Sequence, residues 1–136
     1  MNRMIAAPFA LMVTVGMNAQ SAHQEVQAKF IKVLMSSTSQ FGFACSDEGM
    51  KKKLEEMGIS VGPGFKFAWA ASVSEVRALK QQNHFIICPN VDWLKDGACI
   101  AVVEEGGRPG LYLDVANAKA SGVTLSDAIL KIAKKI

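Results

Sequence analysis

The run Phe85-Ile86-Ile87-Cys88 is apolar at four successive positions, with Asn83 and His84 before it and Pro89 after it. Successive side chains of a strand point to opposite faces, so a strand that is apolar at every residue has to be covered on both. Such a strand belongs inside a parallel sheet whose connections are helices lying on the two faces. The question for the rest of the chain is whether it supplies those helices and the neighbouring strands.

Upstream, the order is right. Residues 22–36 carry Val26, Phe30, Val33 and Leu34 at helical spacing, and Ser36 to Ser39 break the pattern. Phe41 to Cys45 reads as a short buried strand, after which Ser46 or Asp47 caps a helix with Met50, Leu54 and Met57 on one side and Gly58 at its end. Within that helix Lys51-Lys52-Lys53 stands beside Glu55 and Glu56 and reads as a solvated face. A turn at Val61 to Gly64 leads to an alternating strand over Phe65 to Trp69. Ser72-Val73-Ser74-Glu75 then has the form of a capping box, opening a helix with Val73, Val76 and Leu79 as its stripe.

Downstream, a helical turn at Val91 to Leu94 is followed by strands over Cys99 to Val103 and Leu111 to Val115, separated by the Gly-rich segment Glu105 to Gly110, a hairpin pattern. Ser126 and Asp127 cap a last helix predicted to run to Ile136, with Leu125, Ala128, Ile129, Ile132 and Ile136 on one face and Lys131, Lys134 and Lys135 at its negative end. The expected fold is a small three-layer α/β/α domain, a mostly parallel sheet with a C-terminal β-hairpin and a closing helix.

Residues 1–21 are set apart from that domain. Arg3 precedes an uncharged, mostly apolar run from Met4 to Met17, followed by small and polar residues, which is the pattern of a secretory signal peptide. Cleavage after Ser21 suits the pattern, as does cleavage after Ala19 or Ala22. The apolar run is short for a membrane span. No cysteine follows it at a cleavage position, so no lipid anchor is expected. The expectation is therefore an exported domain over residues 22–136, located in the periplasm without direct membrane insertion. In an oxidising compartment two of the three cysteines can pair. Cys88 with Cys99 is the expected disulfide, contributing on the order of 3 kcal/mol, and Cys45 with Cys88 the alternative.

Hydrophobic residues make up 50% of the chain and charged residues 20%, which excludes disorder. The net charge of +3, with both signs interspersed, does not point to a nucleic-acid partner. Chemistry is poorly supplied. The two histidines, His23 and His84, have no nucleophile placed beside them in sequence, so no catalytic residue is assigned. No cysteine and histidine spacing suits a metal, and neither SVGPGF nor EEGGRPG matches a phosphate loop, so no metal or cofactor is expected. Glu104 and Glu105 are adjacent on a strand end and point to opposite sides. Cys45 at a helix start is the remaining enzyme candidate, as a nucleophilic or redox thiol, and the least favoured reading. Trp69, Trp93 and Tyr112 are either core rings or exposed anchors for a protein partner, and Arg108 in the Gly-Arg-Pro-Gly segment is a recognition candidate; these point to binding more than to catalysis.

Several of these segments resemble the YfiR family of small secreted bacterial proteins. Gln27-Ala28-Lys29-Phe30-Ile31 is similar to that family's N-terminal KAxFI helix, and Ser72 to Val76 and His84 to Asn90 fall in the matching order. The closest likeness runs from Cys99 to Ala133, a hairpin, an alanine-rich turn and a leucine-rich helix. The chain departs from the family pattern at Ser36 to Ser39, where Trp-Pro is usual, at Asp114 in place of Asn, and in a shortened stretch from Pro89 to Ala98. The resemblance implies a periplasmic regulator that binds the periplasmic domain of an inner-membrane protein, a diguanylate cyclase, and holds it inactive, with a disulfide helping to maintain the fold. Trp93, Arg108 and Tyr112 are the candidate contacts, chosen from this sequence and not from a family motif. A homodimer stays open. The alternative is a periplasmic small-ligand binding module with no cyclase partner, its pocket at the strand ends near Ser46, Asp47, Ala70 and Pro89.

Overall fold

The structure is a computed structural model that describes residues 24–36, 42–106 and 108–136. The expected signal peptide and its cleavage zone lie outside the described residues.

A helix over residues 24–36 (α1) is followed by strand β1 (Gly42–Cys45), α2 (Glu48–Glu56), β2 (Ser60–Val61), β3 (Phe67–Trp69), α3 (Val73–Gln81) and β4 (Phe85–Cys88). A 3-10 helix (Val91–Asp96) then leads to the hairpin β5 (Ile100–Glu105) and β6 (Arg108–Leu113), and α4 (Val115–Ser121), α5 (Asp127–Ile132) and β7 (Lys134–Lys135) complete the order. One seven-stranded sheet has the order β2-β1-β3-β4-β5-β6-β7. Only the β5–β6 pair is antiparallel, so the sheet is mostly parallel, as the apolar run requires.

Strand β4 is buried at all four residues and its side chains divide between two clusters. Phe85 and Ile87 join Phe43, Phe67, Ile100, Val102 and Leu113 under α1, α2, α4 and α5. Ile86 and Cys88 join Ala70, Val76, Leu94 and Ala101 under α3 and the 3-10 helix. The three layers follow directly from that division.

The helix starts are where their caps place them. Asp47, not Ser46, caps α2 by accepting from the Gly49 N–H. Ser72 accepts from the Glu75 N–H while Glu75 Oε1 accepts from the Ala71 N–H at 2.7 Å, a reciprocal cap shifted outward by one residue. Asp114, standing where the YfiR pattern has Asn, caps α4 by accepting from the Asn117 N–H at 2.9 Å, which either residue type can do.

Four expectations are corrected. On α1 the buried stripe is Ala28, Ile31, Leu34 and Met35 with Phe30, whereas Val33 is 55% exposed; the helix is rotated about one residue from the predicted face. Strand β3 does not alternate: Phe67, Ala68 and Trp69 are all buried, as in a central strand whose two faces are both covered by helices. The alanine-rich segment after the hairpin is a helix, α4, started by its Asp114 cap. The last helix stops at Ile132: Ala133 turns extended, Lys134 and Lys135 pair in parallel with Tyr112 and Leu113, and the Ile136 N–H donates to Leu113 O at 2.8 Å. Ile132 and Ile136 are consequently exposed, at 60% and 63%, and not part of the core.

Candidate functional site

Two regions of the surface have a built character. The first is a cavity of about 450 Å³ beside the carboxyl ends of β1 and β3, under α3. Its apolar lining comes from Ala44, Val61, Ala78 and Leu79, small or short side chains that leave space where larger ones would fill it. Ser46 Oγ donates to Glu75 Oε2 at 2.6 Å, which ties the end of β1 to the first turn of α3 and, with the Ala71 bond, occupies both carboxylate oxygens. At the other end His84 Nδ1 lies 3.1 Å from the Lys66 carbonyl, so it carries the proton and leaves Nε2 unprotonated in the neutral ring. The Lys66 ammonium in turn donates to the Asn83 carbonyl. Trp69 also lines the cavity; it is 4% exposed, and its indole N–H has no hydrogen-bond partner. A buried donor without an acceptor costs about 1–3 kcal/mol, so such a group calls for an explanation.

Of the residues expected around a strand-end pocket, Ser46 alone lines this one. Asp47 is spent on the α2 cap, and Ala70 is fully buried, with its N–H bonded to Ile87 O. Pro89 borders a separate depression with Val26, Gln27, Val103 and Glu104. Trp69 stands out in sequence as a large ring near a strand end, but its unpaired N–H is a product of packing and has no sequence signature.

The second region is the sheet end formed by β6 and β7. The Tyr112 hydroxyl donates to Glu105 Oε2 at 2.6 Å and accepts from Lys134 Nζ at 3.2 Å; the ammonium also lies 3.6 Å from Glu105 Oε1 and 5.0 Å from the Tyr112 ring centre. The Glu105 side chain reaches Tyr112 by crossing Gly110, where a Cβ would stand 2.3 Å from Oε1. Strand periodicity puts Arg108 on the same face as Tyr112, and Trp93 packs at the rim of the cluster that Tyr112 also borders. The three predicted contact residues therefore share one side of the sheet, with Arg108 exposed and the two rings half-buried.

The Tyr112 hydroxyl holds the Glu105 carboxyl below its ordinary value, aided by Lys134, and the same hydroxyl with Glu105 pushes the Lys134 ammonium up. A lowered carboxyl stabilises above its ordinary pKa and loses that contribution as pH falls through the folded value; a raised ammonium stabilises below its ordinary pKa and loses it as pH rises. The stability difference between the parent and Tyr112→Phe is thus expected to be level across neutral pH and to shrink in acid below about pH 4. Thermal unfolding at stepped pH checks this.

All three cysteines are free thiols in the structure. Cys88 lies in the cluster under α3 and donates to Asn90 O at 3.2 Å, whereas Cys99 packs into the cluster on the opposite face of the sheet. Neither the expected Cys88–Cys99 bridge nor the Cys45–Cys88 alternative is formed in the structure, and Cys99 lies close enough to Cys88 to add to the rise that burial gives its thiol. Burial pushes each thiol up to about 11. At Cys45 the neighbouring carboxylates of Asp47, Glu75 and Glu48 push in the same direction, against any help from the α2 N-terminus. Two units above an ordinary thiol leave roughly 100-fold less thiolate at neutral pH. Cys45 is accordingly expected to alkylate at least tenfold more slowly than a free thiol at pH 7, which iodoacetamide labelling followed by mass spectrometry measures directly.

Among the described residues no group of three histidine, cysteine or carboxylate side chains is placed to hold a metal ion, and no helix is long and apolar enough to cross a membrane.

No family model matches the chain, and no curated protein sequence matches it. Solved structures do. A conserved domain protein from Vibrio cholerae O1 biovar El Tor superposes with a TM-score of 0.62 at 10% identity, over 79% of this chain and 59% of that one. The ABC domain from Streptococcus pneumonia in complex with L-Trp gives 0.59 at 12% identity, over 83% of this chain and 62% of that one. The chain thus spans about three-fifths of the length of either neighbour. At such identities the likeness is one of architecture: the chain has the small α/β fold, a mostly parallel sheet flanked by helices, that these proteins share.

Proposed function

We propose that the protein is an exported, periplasmic regulatory binding protein of the YfiR kind, which holds an inner-membrane diguanylate cyclase inactive by binding its periplasmic domain. The observation that carries this reading is the sheet end at β7. The segment from Cys99 to Ala133 that carries the sequence resemblance folds contiguously there, and it leaves an edge strand flanked by the exposed Ile132 and Ile136. The edge itself is only two lysines long, which blunts it against strand addition, so the contact surface is made by the exposed isoleucines beside it. Beside it, Arg108, Tyr112 and Trp93 offer the charged and aromatic groups that anchor protein interfaces. A soluble protein can inhibit a receptor only by binding one of its conformations more tightly than the other, and this surface needs no cofactor to do so. The same surface would serve a homodimer.

Cellular cyclic di-GMP tests the proposal. Overproduction of the parent is expected to lower it, and the Arg108→Glu, Tyr112→Ala variant, exported at the same level, is expected to lose most of that effect. Unchanged cyclic di-GMP on both deletion and overproduction would count against the reading.

A second reading, a periplasmic small-ligand binding module without a cyclase partner, is favoured by the cavity at Trp69. The ABC domain that shares this architecture was solved with L-Trp, so a fold of this class is compatible with a small-molecule site. Thermal-shift screening against a metabolite panel discriminates: a ligand-dependent rise supports this reading, and a flat response removes it.

A further inference from the structure

The cavity under α3 is a trough with unlike ends. Its floor is Ala44 of β1, one wall is the α3 stripe Glu75, Ala78, Leu79 and Gln82, and the facing wall is Val61 to Pro63. From Glu75 to Gln82 the stripe rises about 10 Å, at 1.5 Å per residue. The middle is apolar, and the volume of about 450 Å³ suits a small molecule. At the β1 end the balance of charge is negative. Glu75 is half-buried, and among the described residues neither it nor Asp47 or Glu48 forms an ion pair. The three carboxylates act in the same direction on Cys45, which lines this end, against the single Lys51 ammonium on α2. The Ser46 hydroxyl and the Ala71 N–H fill two of the roughly four acceptor positions of the Glu75 carboxylate and leave two open. At the far end the Lys66 ammonium donates to Asn83 O beside His84, which makes that end unfavourable for a second cation. Trp69 borders the cavity, but its ring belongs to the core cluster on the opposite sheet face and its N–H takes no part.

We propose that this cavity binds a small primary monoamine, its ammonium held by the Glu75 carboxylate and the Ser46 hydroxyl oxygen and its apolar body packed on Ala44, Val61, Ala78 and Leu79. The ammonium meets a carboxylate that is already half out of solvent, so the charge-assisted bond is stronger there than on the open surface. A carboxylate on the ligand would face the same three acidic groups, so an amino acid fits less well than the corresponding amine. The site rests on the small-ligand reading above and gives it a chemical class.

Calorimetric titration of the exported protein with 2-phenylethylamine, 2-phenylethanol and phenylacetate tests this. The amine is expected to bind saturably, the alcohol of the same shape at least tenfold more weakly for want of the charge-assisted hydrogen bond, and the acid not at all. Ala78→Leu, which fills the trough from α3, should abolish amine binding. Glu75→Gln retains an oxygen for the Ala71 N–H and is expected to lose at least tenfold in amine affinity while leaving that of the alcohol unchanged. Lys51→Met removes the competing cation without touching the cap and should tighten amine binding about two- to fivefold, so the charge assignment stays testable even where Glu75→Gln fails to fold. If the alcohol binds as well as the amine, or Lys51→Met weakens the amine, the ammonium assignment is overturned while the small-ligand reading stands. If amine, alcohol, acid and a neutral metabolite panel all fail to bind, both are overturned.

Discussion

Replacing Phe67 by alanine is expected to cost about 3–5 kcal/mol, a large loss for a single side chain. Phe67 is fully buried at the centre of a row that crosses three parallel strands: it pairs in register with Phe43 on β1 and with Phe85 on β4. Its ring lies 4.9 Å from Phe85 in a tilted stack and 6.4 Å from Phe43 edge to face, arrangements that add to area burial. Truncation would open a void between two rings that β1 and β4 hold apart, so the site cannot collapse to fill it. The expected consequence is a fall in Tm of roughly 10–20 °C or failure to fold at 37 °C. Urea unfolding of parent and variant, with m unchanged, measures it. A loss under about 1 kcal/mol would mean that the aromatic row is not the packed centre described.

The second large effect is expected at a residue with no apolar role. Asn117 Nδ2 donates to two carbonyls, Leu94 O at 2.7 Å and Ala98 O at 2.9 Å, so one amide ties α4 to the last turn of the 3-10 helix and to the residue two before β5. Leu94 and Ala98 are buried; in Asn117→Ala the Leu94 carbonyl keeps the Gly97 N–H at 3.1 Å, whereas the Ala98 carbonyl loses its donor. Losing these hydrogen bonds and leaving one buried acceptor unpaired costs about 1–3 kcal/mol, against less than about 0.5 kcal/mol for the exposed control Lys119→Ala. Because Trp93 lies in the segment so tied, Asn117→Ala should also change the near-ultraviolet circular dichroism, which Lys119→Ala should not. Equal stability of the two variants would show that the tie is not formed in solution.

Much of the fold was legible in residues whose constraint is local. The Phe85–Cys88 run requires cover on both faces, Ser72 with Glu75 fixes a helix start, and the Gly-rich segment between two apolar runs makes a hairpin. What was not legible depends on distant partners. β2 and β7 are two-residue edges, Ser60–Val61 and Lys134–Lys135, and two residues cannot display an alternation. Ile132 and Ile136 fit a helical stripe in sequence; the pairing of Lys134 with Tyr112 and of Lys135 with Leu113 ends that helix first and turns both isoleucines outward. Val33 and Ile31 are equally apolar, and only contact with the sheet decides that Ile31 is buried.

The candidate sites divide the same way. Tyr112 and Arg108 could be singled out as residue types, and they do share a sheet face, but the Glu105–Tyr112–Lys134 network needed β7 to bring Lys134 beside the hairpin. The cavity was sought at strand ends in general and is found at one of them, because Ala44 and Ala78 are small where they meet and Trp69 reaches its wall.

The regulatory account is tested most directly by affinity capture. The tagged, exported protein would be incubated with detergent-solubilised inner membranes, in parallel with the folded Arg108→Glu, Tyr112→Ala variant, and bound proteins quantified by mass spectrometry. The account predicts enrichment of a membrane-anchored diguanylate cyclase by the parent, reduced at least tenfold with the variant. Capture of no such cyclase, or equal capture by parent and variant, would contradict it.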